Sequence, residues 1–266
     1  MSKNLSTFDI TMEYQTLSKT KAKELKGLAS KKERDKAGLF IAEGEKCVVD
    51  LLAAFPPAHL IASKDWLEAN IEVIKPHRSK ILVTDRRGLE IVSSLHSVPD
   101  VMAVFEKPAF ESAVPKLSPR RLYILLDEIQ DPGNLGTIIR TADWFGVYEI
   151  FASPNSVDVF SPKVVQATMG SLARVKVRYC DLHSLIDSNP GLPVIGALLE
   201  GVPLKESNLK PEGFLLMGNE GRGISPQLRK LIDCPVTIPP VNPSSHPDSL
   251  NVAIATAILL SSLTSS

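Results

Sequence analysis

The chain has 266 residues, 44% hydrophobic and 23% charged, with 30 basic and 30 acidic side chains and therefore no formal net charge. That length exceeds the commonest single-domain size and suits two compact domains with a core each. A disordered or fibrous chain is excluded, and whole-molecule charge argues neither for nor against nucleic acid, so any such signal must come from local patches.

In chain order, Met1–Ile10 holds no apolar stretch of the signal-peptide kind. Ser18 to Lys36 reads as helix with interruptions near Gly27 and Gly38. In this stretch Lys19, Lys21, Lys23, Lys26, Lys31, Lys32, Arg34 and Lys36 outnumber Glu24, Glu33 and Asp35. A basic run of this sort is usually a solvated face, and it becomes a phosphate-contact candidate only beside other nucleic-acid signals. Glu45 to Ala54 has Cys47, Val48, Leu51 and Leu52 at helical spacing. Short β-like runs at His59–Ala62 and Lys80–Thr84 alternate with helical stretches, which predicts a small α/β sandwich. Residues 107–120 break periodicity with three prolines. The division expected is 1–108, a linker at 109–119, and 120–266.

Beyond the linker the alternation sharpens. Leu122–Leu126 is an unbroken apolar run, as in a strand buried on both faces. A turn at Asp131–Asn134 precedes a helical Leu135–Phe145. Strands are expected at Val147–Ala152, Arg174–Tyr179, Val194–Leu198, Phe214–Met217 and Val236–Ile238, and helices at Pro162–Met169, after Ser225-Pro226, and from Ser249 to Leu263. This order predicts a mainly parallel sheet covered on both sides. The most apolar window, Val252–Leu263, is too short to span a bilayer. Cys47, Cys180 and Cys234 are widely spaced with no CxxC, and read as reduced structural thiols of a soluble cytoplasmic protein.

Three segments place Gly, Asn and charge at strand ends, where open α/β sheets bind ligands. The first runs from Asp127 through Asn134 and Gly136 to Arg140 and Ala142. Its plain reading is a capping Asn134 and a solvated Arg140. A GxxG backbone clamp at Gly133–Gly136 is a second reading, disfavoured because an apolar strand precedes it where that clamp joins two helices. The second, Leu215–Ser225, carries Gly218, Gly221 and Gly223 with Asn219 and Glu220 among them. A tight turn needs one glycine, and three suggest that a ligand approaches the main chain. The order GxxGxG reverses the dinucleotide fingerprint, and no phosphate loop GxxxxGKS occurs. The third, Ile238–Ala253, is a proline-stiffened loop leading into a helix whose start carries Ser249 and Asn251. Ser249 reads as a plain helix cap, and Asn251 is less easily explained that way.

Taken in this order and spacing, the segments resemble the SpoU (TrmH-like) branch of the SPOUT methyltransferases. Asn134, Gly136, Arg140 and Ala142 look like that family's motif one. Gly218, Asn219, Glu220, Gly221 and Gly223 look like motif two, and Ile238, Pro239, Ser249, Leu250 and Asn251 like motif three. Pro162–Val175 is similar to the family's middle segment, and Gly44-Glu-Lys46 to its amino-terminal substrate domain. The resemblance implies a SPOUT-type, mainly parallel α/β sheet closed by a deep trefoil knot, preceded by a small α/β RNA-binding domain.

The resemblance further implies S-adenosyl-L-methionine as cofactor, held by Ala197, Leu198, Met217, Gly218, Asn219, Gly221, Gly223, Ile238, Pro239, Ser249 and Leu250. Ala197 stands where some relatives hold Thr, and the loop Asn242–Asp248 looks longer than is usual. The activity implied is methylation of a ribose 2′-hydroxyl in structured RNA, ribosomal RNA before transfer RNA, without a metal. Arg140 is the expected key group, a fork holding the target phosphate, with Asn134, Glu220, Ser249 and Asn251 orienting. Glu220 either does this or pairs with Arg140. RNA contact is expected at Lys19, Lys21, Lys23, Lys31, Lys32, Arg34 and Arg140, and a homodimer through the knotted region. The competing readings are a nicotinamide dehydrogenase, against which the late, reversed glycines speak, and an RNA-binding protein of the same fold without transfer activity.

Overall fold

The computed structural model describes residues 14–109, 115–242, 244–245 and 247–264. The sequence readings at Met1–Ile10 and in the middle of the linker, 110–114, lie outside them, as do Pro243 and His246 in the motif-three loop. The described residues form two compact units, one drawn from Met1–Pro108 with Phe160–Ala173, the other from Ala109–Val159 with Arg174–Ser266.

In the first unit, strands β1 (Gln15–Thr16), β2 (Leu39–Glu43), β3 (Pro57–Ala62), β4 (Ile81–Val83) and β5 (Val101–Glu106) pair in the order β1-β4-β3-β5-β2. β1, β4 and β3 run parallel, and β5 is antiparallel to both β3 and β2. The helices α1 (Lys19–Lys26), α2 (Lys31–Ala37), α3 (Glu45–Leu52), α4 (Lys64–Ala69), α5 (Ile71–Ile74) and α6 (Arg86–Val92) complete it. Ser18, Ser63 and Asp85 cap α1, α4 and α6 by accepting from the main-chain N–H three residues on. One face of the sheet buries Leu25, Leu28, Ile61, Leu82, Leu89 and Met102. Elsewhere in the unit Phe40 stacks against Phe55, Phe105 and Phe160 with centroids 5.2, 5.5 and 4.8 Å away. Phe160 leads into α7 (Pro162–Ala167), which packs on β2. The middle segment, assigned from sequence to the carboxy-terminal domain, thus joins the amino-terminal core.

The second unit is a six-stranded sheet, β6 (Leu122–Leu126), β7 (Glu149–Ala152), β8 (Lys176–Tyr179), β9 (Val194–Pro203), β10 (Gly213–Met217) and β11 (Cys234–Thr237), in the order β11-β9-β10-β6-β7-β8 and parallel throughout. Every residue of β6 and β10 is buried, so the apolar runs read from sequence are the central strands. Helices α8 (Pro132–Trp144), α9 (Leu182–Asp187), α10 (Pro226–Arg229) and α11 (Val252–Thr264) link and cover them, with α8 packed against α11. The end of the linker is held: Asn189 accepts from Leu117 N at 2.9 Å and donates to Pro115 O at 3.3 Å. No described helix is long and apolar enough to cross a membrane. The three cysteines are free, and burial pushes the thiol of Cys47 up and that of Cys180 up to about 11.

Candidate active site

β10 lies between β6 and β9, so chain order reverses beside β6, the position at which parallel sheets open a crevice beyond their carboxyl ends. From β6 the chain passes through Asp127, a buried carboxylate that accepts from Ser225 N at 2.7 Å. Glu128 follows in the left-handed region at φ 56°, a conformation that costs a non-glycine residue about 1–2 kcal/mol. Its N–H donates to Ser153 Oγ (2.8 Å) and its carbonyl accepts from Asn219 Nδ2 (2.7 Å), which ties the first motif to the glycine loop. The α8 helix starts at Pro132 under an Asp131 cap. Asn134 is therefore in the first turn and is not the cap, which corrects the sequence reading and leaves its amide for other partners.

The glycine loop is folded on itself. A side chain at Gly218 would bring Cβ within 2.3 Å of Ile224 N. Asn219 and Gly223 exchange main-chain hydrogen bonds of 3.0 and 2.9 Å, Gly223 standing at φ 68°. Asn219 Oδ1 accepts from the N–H groups of Gly221 and Arg222 at 3.0 Å each. Gly218 and Gly223 thus serve closure of the loop, whereas a Cβ at Gly221 would meet nothing nearer than Asn219 Oδ1 at 3.7 Å.

A chain of side-chain hydrogen bonds crosses from this loop to α11. Glu220 Oε1 accepts from Asn134 Nδ2 at 3.0 Å, and its two oxygens face the N–H groups of Asp131 and Gln130 at 3.3 Å each. Asn134 Oδ1 accepts from Asn251 Nδ2 at 2.9 Å. Asn251 Oδ1 accepts from the N–H of Ala253 (2.9 Å) and of Ile254 (3.2 Å). Each amide orientation is forced, because a carboxylate only accepts and an N–H only donates. Asn251 is the cap of α11, and the sequence reading of Ser249 as that cap is corrected. Asn134, Glu220, Ser249, Leu250 and Asn251 together line a cleft of about 380 Å³, within the usual size of small-ligand sites.

Arg140 stands apart. It is exposed and makes no ion pair or hydrogen bond with any described residue. Six residues beyond Asn134, it lies roughly 9 Å along the helix and about 240° around it. Glu220 therefore pairs with the Asn134 amide and not with Arg140. The other positions expected to hold a cofactor gather at neighbouring strand ends: Gly196 is in register with both Leu216 and Pro235. Ala197 and Leu198 follow Gly196 directly and Met217 and Gly218 follow Leu216, whereas the β9–β11 register jumps at Pro235/Val236, so Ile238 and Pro239 follow the later Thr237–Pro203 pair. Thr237 Oγ1 reaches back by donating to Leu199 O at 3.0 Å. One carboxylate, two amides, a hydroxyl and an apolar Leu250 are a donor and acceptor set whose chemistry suits a cationic nucleoside: a carboxylate for positive charge, and amides and a hydroxyl for the polar groups of a ribose.

Glu128, Asp127 and Arg222 escaped sequence reasoning, and Arg222 Nη2 is ion-paired with Glu128 at 2.5 Å. Nothing in the residue type Glu signals a left-handed backbone. In the first unit Lys19, Lys23, Lys31 and Lys32 are exposed, and Lys21 is paired with Glu24 at 2.8 Å. Arg34 departs from expectation: only 2% exposed, it donates to Leu28 O (2.9 Å) and Ala29 O (2.8 Å). Its guanidinium caps the turn between α1 and α2, and this burial removes it from the expected RNA face.

The model of the SpoU rRNA Methylase family matches residues 121–261, and that of the MRM3-like substrate binding domain residues 19–103. This chain belongs to the SpoU rRNA methylase family. A curated relative, 23S rRNA (guanosine(2553)-2′-O)-methyltransferase RlmP of Bacillus subtilis, is 32% identical over 243 residues, 90% of this chain and 94% of that protein. The structure of a putative RNA methyltransferase of the TrmH family from Porphyromonas gingivalis superposes with a TM-score of 0.82 at 38% identity, covering 94% of this chain and 99% of that one. An AdoMet-bound rRNA methyltransferase from Sinorhizobium meliloti matches with a TM-score of 0.82 at 29% identity, over 94% and 95%. Within this family the three motifs read from sequence fall on the loops after β6, after β10 and after β11.

Proposed function

We propose that this protein transfers a methyl group from S-adenosylmethionine to a ribose 2′-hydroxyl of ribosomal RNA. The observation that carries the reading is the chain Glu220–Asn134–Asn251, which brings all three motifs to one cleft. When bound, S-adenosylmethionine supplies a methyl already activated by its sulfonium charge. What the protein must add is placement of the attacking oxygen and stabilisation of its developing negative charge. The hydrogen-bonded Asn134 and Asn251, with Ser249 beside them, orient the hydroxyl and the methionine end, and the strand-end loops at Ala197–Leu198, Met217–Asn219, Gly221–Gly223 and Ile238–Pro239 hold the adenosine. Arg140 stays protonated at any working pH, so it acts as a fork for the target phosphate and the attacking oxygen, while the proton leaves by another route.

The position of Arg140 supports a homodimer in which it serves a second subunit's cleft. Leu250, Ile254 and Ile258 make an exposed row, 49%, 52% and 38% accessible, on and before α11. Trp144, 85% accessible, stands one helical turn from Arg140. An unpartnered apolar surface of this kind is typical of an interface. The same reading takes the closing segment as the threaded part of a trefoil knot, supported by β11 running so close to Gly201 of β9 that a Cβ there would meet Pro235 main chain at 2.9 Å. The exposed Lys19, Lys23, Lys31 and Lys32 form an RNA-facing surface. Three free, widely spaced cysteines and a ribosomal substrate favour the cytoplasm as its place of action.

Incubation of the purified protein with tritiated methyl donor and, separately, ribosomal and transfer RNA from cells lacking the gene tests the proposal. Label in ribose of ribosomal RNA is expected, and Arg140→Lys should cut turnover about 100-fold or more without changing donor affinity. Incorporation only into transfer RNA, or into bases, would overturn it, as would donor binding without transfer to any RNA.

A further inference from the structure

A second cleft, about 1090 Å³, lies wholly within the first unit at the carboxyl ends of β1, β3 and β4. Its rim carries Lys19, Lys64, Arg86 and Arg87. Only Lys19 belongs to the lysine run; the other three follow β3 and β4, and their convergence is a product of the fold. We propose that this cleft is an RNA-backbone site in which these four cations grip phosphates of the substrate. The inference rests on the reading that the substrate is an RNA.

The state of each cation favours a phosphate partner. Lys19 and Arg87 make no ion pair or hydrogen bond with any described residue. Arg86 reaches Glu90 at 3.7 Å, a loose pair four residues apart on exposed helix surface, and Lys64 stands 3.9 Å from a half-buried Glu68, too far for a hydrogen bond. The exposed Arg86 pair contributes little and yields readily to a stronger anion. Three carboxylates also line the cleft, Asp65, Asp85 and Asp100. Asp85 is engaged in capping α6, accepting from Gly88 N at 2.9 Å. With three carboxylates against four cations, the cleft is no trap for a small polyanion. A strand whose charges are spaced along its length meets the cations at the rim and avoids the acids between them. Thr16 and Thr84 add hydroxyl donors of the kind that contact phosphate oxygens. Base stacking is not on offer, because Trp66, the aromatic residue of the lining, is buried with its Nε1–H donated to Glu45 at 3.0 Å. The cleft thus positions RNA without reading sequence, as backbone contacts do.

The test measures binding of deproteinised ribosomal RNA to the full-length protein between about 50 and 200 mM salt. The variant Lys19→Ala/Arg87→Ala is compared with Lys75→Ala/Lys80→Ala, which removes two exposed lysines just before β4, at the opposite edge of the same sheet. Both pairs are exposed, so neither should disturb folding, and a thermal melt checks this. For the cleft variant the slope of log affinity against log salt should shrink by about 1.4–1.8, two phosphates' worth. The KM for RNA should rise about 10-fold or more, with methyl-donor affinity unchanged, and the control should keep the wild-type slope. A wild-type slope in the cleft variant, an equal loss in the control, or no salt-dependent binding by the wild type would each overturn the assignment. Methyl transfer with an unaltered cleft slope removes the cleft and leaves the methylation reading standing. An altered cleft slope without methyl transfer does the reverse.

Discussion

The two units each present the carboxyl ends of parallel strands, and they prepare that edge differently. In the first unit the rim of the cleft holds four cations, two without a partner among the described residues and two 3.7–3.9 Å from a carboxylate. In the second, Asn134, Asn219, Glu220 and Asn251 already bond to one another or to main chain, and the glycine loop is locked by its own hydrogen bonds. Free cations on long side chains adapt to whatever backbone arrives and give affinity that salt weakens. Pre-bonded amides give little affinity but keep their geometry, which is what a displacement reaction requires. The difference separates holding an RNA from acting on one of its atoms.

The rigid side of that contrast breaks most severely at Gly218. Gly218→Ala places a methyl 2.3 Å from Ile224 N, a main-chain atom that cannot turn aside as a side chain would. The loop must open, and with it the Asn219–Gly223 and Asn219–Glu128 bonds. Destabilisation of about 3 kcal/mol is expected, the upper end for overpacking, together with loss of methyl-donor binding by calorimetry. An unchanged melt with unchanged donor affinity would show that the loop is not locked. The adaptable side is sharpened by Arg34. Arg34→Met leaves Leu28 O and Ala29 O without a buried donor and should cost about 1–3 kcal/mol, while the salt slope of RNA binding stays as in wild type. A reduced slope at unchanged stability would return Arg34 to the RNA face.

Much of this was legible in the residues. The buried runs Leu122–Leu126 and Phe214–Met217 announced the central strands because parallel strands covered on both faces carry unbroken apolar stretches. The three motifs marked the cleft. The first unit was read less well: β2 (Leu39–Glu43) and β5 (Val101–Glu106) were passed over, although each is almost wholly buried. Short apolar runs of that length do not distinguish strand from helix by periodicity. The joining of Phe160–Ala173 to the first unit was equally hidden, since it depends on tertiary aromatic contacts of Phe160. The cleft cations Lys64, Arg86 and Arg87 lie in no run and are united only by strand order. Capping misled twice, at Asn134 and at Ser249, because several capping residues stand near each helix start and local pattern does not say which one turns inward.

The smallest expected effect is also the most discriminating, because Asn251 does two things with two ends of one amide. Its oxygen caps α11 by accepting from Ala253 and Ile254, and its nitrogen donates to Asn134. Asn251→Ala removes both and should cost about 1 kcal/mol, lowering the melting temperature by roughly 2–4 °C in a chain of this size. Asn251→Asp keeps the cap, and its charge at a helix start is favourable, so the melt should return to within about a degree of wild type. A carboxylate cannot donate to Asn134 Oδ1, however, and it sets a second negative charge near Glu220. Turnover should therefore stay low in both variants, about 10-fold or more below wild type, while stability recovers only in the aspartate. If activity instead recovers with the melt, the amide is a helix cap and no more, and the chain from Glu220 through Asn134 would not extend to the third motif.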